Sequence, residues 1–178
     1  MKKLTATKLT KLFLLSAILC VSLSGCLFNS VLGTRFVYFA GDLGGCFDSE
    51  SKESLAILMR DIRSIAVYDI PENKSKTLDL NGHKIICTTP FFNNTIFTVN
   101  GDFTIKDSGT GGLIKDEGNA NCVIYVSSSG TLRLESCNIE SNDTFIRVQG
   151  ELIISEEMYN SISDKIVRER YGRITLTD

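Results

Sequence analysis

The chain has no tryptophan and a single histidine, His83. A metal centre built on imidazole nitrogen would therefore have one ligand of that kind, so no metal site and no cofactor are expected. There is also no block of Lys or Arg in the body of the chain: 19 basic residues stand against 21 acidic ones, a formal net charge of -2. A nucleic-acid partner is excluded on that ground, because binding it needs a basic stripe that displaces counterions. The longest apolar stretch, around Leu12 to Leu23, has 12 residues. A bilayer-spanning helix needs ~20, so no membrane span is expected. What is present is an ordinary globular composition, 43% apolar and 22% charged, with 178 residues for one domain.

Lys2, Lys3, Lys8 and Lys11 precede that apolar stretch, the layout of a secretory signal. Leu23-Ser24-Gly25-Cys26 follows it and resembles the lipobox of bacterial lipoproteins, small residues before a Cys. The resemblance covers the leader alone and implies cleavage before Cys26, with Cys26 acylated to hold the exported protein to the cell membrane or envelope. The alternative is a secreted protein cut near the same place. Residues 1–25 would then be a signal peptide and 26–48 a lipid-anchored tether. The leader holds four Lys and no acid, so its removal takes the formal charge from -2 to -6. An acidic mature chain would be held by its lipid and not by basic residues.

Four cysteines remain beyond the leader and the anchor, Cys46, Cys87, Cys122 and Cys137. Their spacing fits no zinc pattern, three pairings are open, and buried free thiols are an equal alternative.

Residues 27–48 are Gly-rich around Arg35–Phe39 and Gly41–Gly45, which reads as tether plus one strand. Leu55, Leu58, Met59, Ile62 and Ile65 then fall at helical spacing behind Asp48, Ser49 and Ser51, which predicts an amphipathic helix over 49–66. Beyond Ile65 the period becomes two, and short strands alternate with Gly- and Ser-rich turns.

Those strands form a repeat. Ile96–Ile105, Ile124–Leu134 and Phe145–Ile154 each read strand, glycine turn, strand. Leu78-Asp-Leu80, Phe103-Thr-Ile105, Leu132-Arg-Leu134 and Leu152-Ile-Ile154 align as one column, at spacings of 25, 29 and 20 residues, and Ile85, Leu113 and Ile139 make another. Units of this size with three short strands cannot each close a core and must stack, which predicts an all-β parallel β-helix of about four coils. An antiparallel sandwich is the competing arrangement, since Asn100-Gly101 is a hairpin signal. Met158, Ile162 and Ile166 predict a helix within Glu156–Arg170 that caps the last coil of a domain spanning 49–178.

Lys76-Thr-Leu-Asp-Leu-Asn-Gly-His-Lys-Ile85, Phe103–Ile114 and Gly130–Leu134 resemble the pectate-lyase-like right-handed β-helix repeats of bacterial surface proteins. The resemblance covers about residues 51–155. It implies the fold and not an activity, because that fold carries lyases, hydrolases, adhesins and inert stalks. The lyases use stacked acids that bind calcium beside a basic residue. On the column above, the outward positions are Asp79, Thr104, Arg133 and Ile153, followed by Asn81, Lys106, Glu135 and Ser155, which stack no acids. No catalytic residues are assigned, and Lys106 and Glu135 read as a charge pair between coils. Asp102, Asp107, Asp116, Glu117 and His83 read as turn residues.

Lys106, Arg133 and the Phe91-Phe92 pair after Pro90 are the candidate contacts for a glycan or a surface protein, with a hydrophobic plug over a coil end as the other reading of the two phenylalanines. The expected role is a non-catalytic surface or adhesion module; a calcium-dependent polysaccharide lyase and a purely structural envelope subunit are the alternatives. Replacing Cys26 with Ser is expected to abolish incorporation of a labelled fatty acid and to move the protein from the membrane to the soluble fraction, read by metabolic labelling and fractionation.

Overall fold

The computed structural model describes residues 30–31, 33–88, 95–118, 120–141 and 144–178. The leader, Cys26 and the Phe91-Phe92 pair lie outside the described residues. The described chain is mostly β-strand with two short helices. In order these are β1 (Ser30–Val31), β2 (Thr34–Val37), α1 (Ala40–Phe47), β3 (Leu55–Leu58), β4 (Ile62–Ser64), β5 (Tyr68–Ile70), β6 (Ser75–Asp79), β7 (Lys84–Cys87), β8 (Thr95–Val99), β9 (Asp102–Lys106), β10 (Leu113–Asp116) and β11 (Cys122–Val126). There follow β12 (Thr131–Leu134), β13 (Asn138–Glu140), β14 (Ile146–Val148), β15 (Glu151–Ser155), α2 (Glu156–Ile162), a 3-10 turn over Ser163–Lys165, β16 (Ile166–Arg168) and β17 (Arg173–Thr177).

The strands make three sheets, ordered β1-β2-β3-β6-β9-β12-β15-β17, β4-β7-β10-β13 and β5-β8-β11-β14-β16. All pairings are parallel except β1 with β2. From β3 to β14 the chain visits the first, second and third sheet in rotation, four circuits in all. The Asn100-Gly101 turn therefore makes no hairpin, because β8 and β9 belong to different sheets.

Register places like residues over one another. Ala56, Leu78, Ile105, Leu134 and Ile154 form one buried column of the first sheet. Ile62, Ile85, Ile114 and Ile139 run through the second sheet, and Tyr68, Phe97, Ile124, Ile146 and Ile166 through the third. Side chains from all three sheets meet in one core. A one-residue slip would turn each column outward, at about 1.5–3 kcal/mol per large apolar side chain, so the alternation itself fixes the register.

Two of the sequence alignments need correction. Leu78 pairs with Ile105, not Phe103, and the residue opposite Phe103 is Lys76. In the second sheet Ile114, not Leu113, lies opposite Ile85 and Ile139.

The helix expected over 49–66 is two strands, β3 and β4. The inward residues are Ala56 and Leu58, then Ile62 and Ser64, on either side of the corner at 59–61. Leu55, Met59 and Ile65 lie off that inward set, and apolar residues on both faces of two short strands imitate the i, i+3, i+4 spacing of a helix. Met59 and Ile65, counted to the apolar face, are exposed. The helix lies earlier, in the stretch read as tether: Leu43, Cys46 and Phe47 of α1 are buried, and β2 pairs with β3. The C-terminal helix is shorter than expected, because Ile166 already belongs to β16, parallel to β14. In chain order α2 stands where earlier circuits have a second-sheet strand, and β16 and β17 continue the other two sheets past it.

The corner between the third and first sheets is a column of glycines. A Cβ on Gly130 would lie 2.0 Å from the Val99 carbonyl oxygen, and one on Gly150 2.2 Å from the carbonyl oxygens of Gly130 and Ser127. On Gly172 it would lie 2.2 Å from the Val148 carbonyl oxygen. No side chain fits between circuits that close together. Gly150→Ala is therefore expected to destabilise by about 2–3 kcal/mol through forced backbone displacement. Gly41→Ala in α1, where nothing lies within 4 Å, should instead gain about 0.5 kcal/mol of helix propensity. Urea midpoints of the two variants check both signs.

Candidate functional site

The outer face of the first sheet is a polar surface that the register assembles. Thr77, Thr104, Arg133, Ile153 and Thr175 lie across successive strands. Asp79 and Lys106 lie opposite one another beside them, two residues on. Arg133 is exposed and Lys106 half-exposed. They sit on neighbouring strands, two positions apart along the register, a diagonal of about 7–8 Å. The structure thus brings together two of the four expected contact residues. Phe91 and Phe92 belong to the segment joining β7 of the second sheet to β8 of the third.

The corrected register gives Lys106 its partner: its Nζ lies 3.8 Å from Asp79 Oδ2, in place of the expected pairing with Glu135. Asp79 is itself buried, and its Oδ1 accepts from the Asn81 and Ser108 amides at 3.0 and 2.9 Å. Asp107 does the same one circuit on, accepting from Gly82 and Gly109 on Oδ1 and from Gly112 on Oδ2. Asn81 is held at φ 48, where its side chain donates to the Leu58 carbonyl at 3.0 Å. These carboxylates satisfy amides that the corner leaves without strand partners. Their chemistry is turn closure.

Elsewhere the charges face one another. On the second sheet, Arg63 and Lys115 reach Glu117 at 3.1 and 3.3 Å, and Lys115 reaches Glu140 at 3.6 Å. The hydrogen bond from Lys115, with Arg63 adding, holds the Glu117 carboxyl below the usual carboxylate range. Lys115, Glu117, Glu140, Asp164 and Lys165 line a groove of about 730 Å³ beside α2. Near the end of the first sheet, Thr175 and Arg173 hydrogen-bond Glu151 and lower its pKa, and Arg133 contributes through its charge. His83 lies 3.5 Å from Asp61 at the surface. Among the described residues no three His, Cys, Asp or Glu side chains converge as metal ligands.

The four cysteines are free. Burial pushes the thiols of Cys87 and Cys137 up to about 12, the charges of Asp116 and Asp107 adding, and burial also raises Cys46 and Cys122. Thiols so raised stay protonated at neutral pH and are poor nucleophiles.

Lys76 was not anticipated. It points inward where later circuits carry Phe103, Leu132 and Leu152, and it is 2% exposed. Its Nζ donates to the carbonyls of Cys46 at 2.9 Å, Ser51 at 3.4 Å, and Glu53. Cys46 lies in the last turn of α1, where a cation complements the helix dipole. Arg35 and Glu53 pair beside it at 2.9 Å. Phe47 of α1 then meets Phe103 and Tyr68 edge-on, at ring distances of 5.4 and 6.0 Å. Helix, lysine and rings together cover the N-terminal end of the core.

Comparison with protein-family models, with curated proteins and with solved structures finds no match. Among the described residues no helix is long and apolar enough to cross a membrane.

Lys76→Met should cost about 2 kcal/mol, because the carbonyls of α1 and its following loop lose the charged donor that Lys76 gives them. Burial holds the Lys76 pKa below the ordinary 10.5, so folding disfavours its charged form, and the penalty is present at neutral pH. It fades as pH rises from the lowered value to 10.5. The parent should therefore gain stability relative to the Met variant across that window, read as denaturant midpoints at several pH values.

Proposed function

We propose that this chain is a lipid-anchored protein of the cell envelope or surface, a non-catalytic scaffold whose outer first-sheet face contacts a glycan or a surface protein. In this reading the three sheets are the faces of one short right-handed parallel β-helix, and Cys26 carries the lipid. The observation that carries the contact role is the assembly of Lys106 and Arg133 on one open, threonine-lined sheet face. Of the neighbouring carboxylates, Asp107 is spent on closing turns, while Asp79 closes a turn through Oδ1 and pairs with Lys106 through Oδ2 at 3.8 Å. The leader and lipobox supply the destination, and the rotation of the chain through three parallel sheets supports the fold.

A short β-helix suits such a role physically. Its face is flat, its side chains are held in ladders, and a few of them can be aimed outward without cost to the core. The surface offered is small, so it fits a few sugar units or a protein loop better than a long polymer track.

The test is a glycan panel screened with the mature protein in mild detergent, with calcium and with chelator. Binding that survives chelation and yields no cleaved product is expected. Arg133→Ala should weaken it by about tenfold, ~1.4 kcal/mol. Calcium-dependent release of unsaturated sugars would overturn the non-catalytic reading, and no binding at micromolar protein would remove glycans as the contact.

A further inference from the structure

Eight large hydrophobic side chains are exposed among the described residues: Tyr38, Phe39, Met59, Ile65, Val67, Val167, Tyr171 and Leu176. Single exposed apolar residues are ordinary, but these are sorted to the two ends of the strand stack, and none lies between residues 68 and 166. Five belong to the N-terminal end. Tyr38 and Phe39 follow β2, Met59 follows β3 directly above them with its amide on the Val37 carbonyl at 2.9 Å, and Ile65 and Val67 follow β4. The Arg60 guanidinium lies over the Phe39 ring, 5.8 Å from its centroid. Asp42 of α1 accepts from the amides of both Tyr38 and Phe39 at 3.0 Å, which fixes the turn that presents them. Phe39 is 66% exposed and Ile65 67%. An apolar rim with aromatic rings and an arginine is the composition that settles at a bilayer interface, rings at headgroup depth and the cation reaching phosphate.

The chain itself places the bilayer at this rim. β1 runs antiparallel to β2, with Ser30 opposite Arg35 and Val31 opposite Thr34. Traced backward from Ser30, β1 therefore heads the way β2 heads forward, toward Tyr38 and Phe39. Cys26 precedes Ser30 by four residues, a reach of at most ~14 Å. An acyl chain on Cys26 would hold the membrane within a short distance of the rim. We infer that the N-terminal rim formed by Tyr38, Phe39, Met59, Ile65 and Val67 rests on the lipid surface to which Cys26 is anchored. The inference rests on the lipoprotein reading above and adds to it a defined orientation.

The absence of tryptophan supplies the test. Full-length protein carrying Phe39→Trp or, at the opposite end, Tyr171→Trp is produced in a bacterial host, acylation at Cys26 is measured by mass, and each variant is reconstituted into phosphatidylcholine vesicles with brominated acyl chains. Both positions are exposed, so neither substitution disturbs the core. The F39W indole should shift its emission to shorter wavelength and lose most of it to the bromines, while the Y171W indole should do neither. An acylated protein in which F39W is no more quenched than Y171W would overturn the inference and leave the anchor intact. A chain without fatty acid would overturn the anchor and, with it, the orientation proposed here.

Discussion

The corner where Gly130, Gly150 and Gly172 stack is the constraint on which the other contacts depend. At each of these positions the chain passes within about 2 Å of where a Cβ would stand against the carbonyl of the preceding circuit. Such an approach lets the amides of Thr131, Glu151 and Arg173 reach the carbonyls of Gly101, Gly130 and Gly150 at 2.8–3.0 Å. Those bonds begin each first-sheet strand in a fixed register, and the register makes the apolar columns. A bulkier corner would start the strand later, and every residue beyond it would change face. Core, outer face and corner are thus one decision taken at a single type of residue.

The ends of such a stack are harder to close than its middle, because each terminal circuit has one neighbour instead of two. At the N-terminal end the solution is mixed. Phe47 supplies apolar cover, while Lys76 satisfies carbonyls of α1 and of the loop that follows it. A buried lysine is costly unless its donors are used. Here they are used on backbone oxygens of α1 and of the loop that follows it. The polar residue in the core is thus explained by the backbone it caps, and it needs no ligand.

How far the sequence disclosed this follows from the same physics. Wherever apolar alternation is uninterrupted, as in Phe103-Thr-Ile105, Leu132-Arg-Leu134 and Leu152-Ile-Ile154, the register is legible residue by residue and agrees with the pairing found. In the first copy it fails by two residues, because Lys76 holds an interior position and an apolar criterion skips to Leu78. That slip placed Asp79 opposite Thr104 and concealed its pairing with Lys106. The strands at 55–58 and 62–64 read as a helix because apolar residues that face outward, Met59 and Ile65 among them, complete a helical spacing with the buried Leu58 and Ile62. The helix at 40–47 went unread because three of its eight residues are glycine, poor helix formers that packing against the core overrides. Gly130 and Gly150 were legible as turns but not as contacts between circuits, since a close approach has no signature in a single chain.

The proposed contact face and the proposed lipid rim, taken together, would limit what the protein can touch. Seven parallel first-sheet strands from β2 to β17 rise six steps of ~4.8 Å, about 29 Å in all. With the rim of Tyr38 and Phe39 on the membrane, Lys106 on β9 and Arg133 on β12 stand three and four steps up, about 14 and 19 Å from the lipid. A ligand of that face must come close to the headgroups, so a chain tethered to the same membrane or a polymer of the envelope layer meets the geometry better than a distant surface does. The charge acts in the same direction under the proposed cleavage: a mature chain of net charge -6 would be repelled from anionic lipid over its acidic body, leaving the apolar rim with Arg60 as the face that approaches it. The proposed anchor, rim and face would then share one orientation, set by where the apolar side chains are left uncovered.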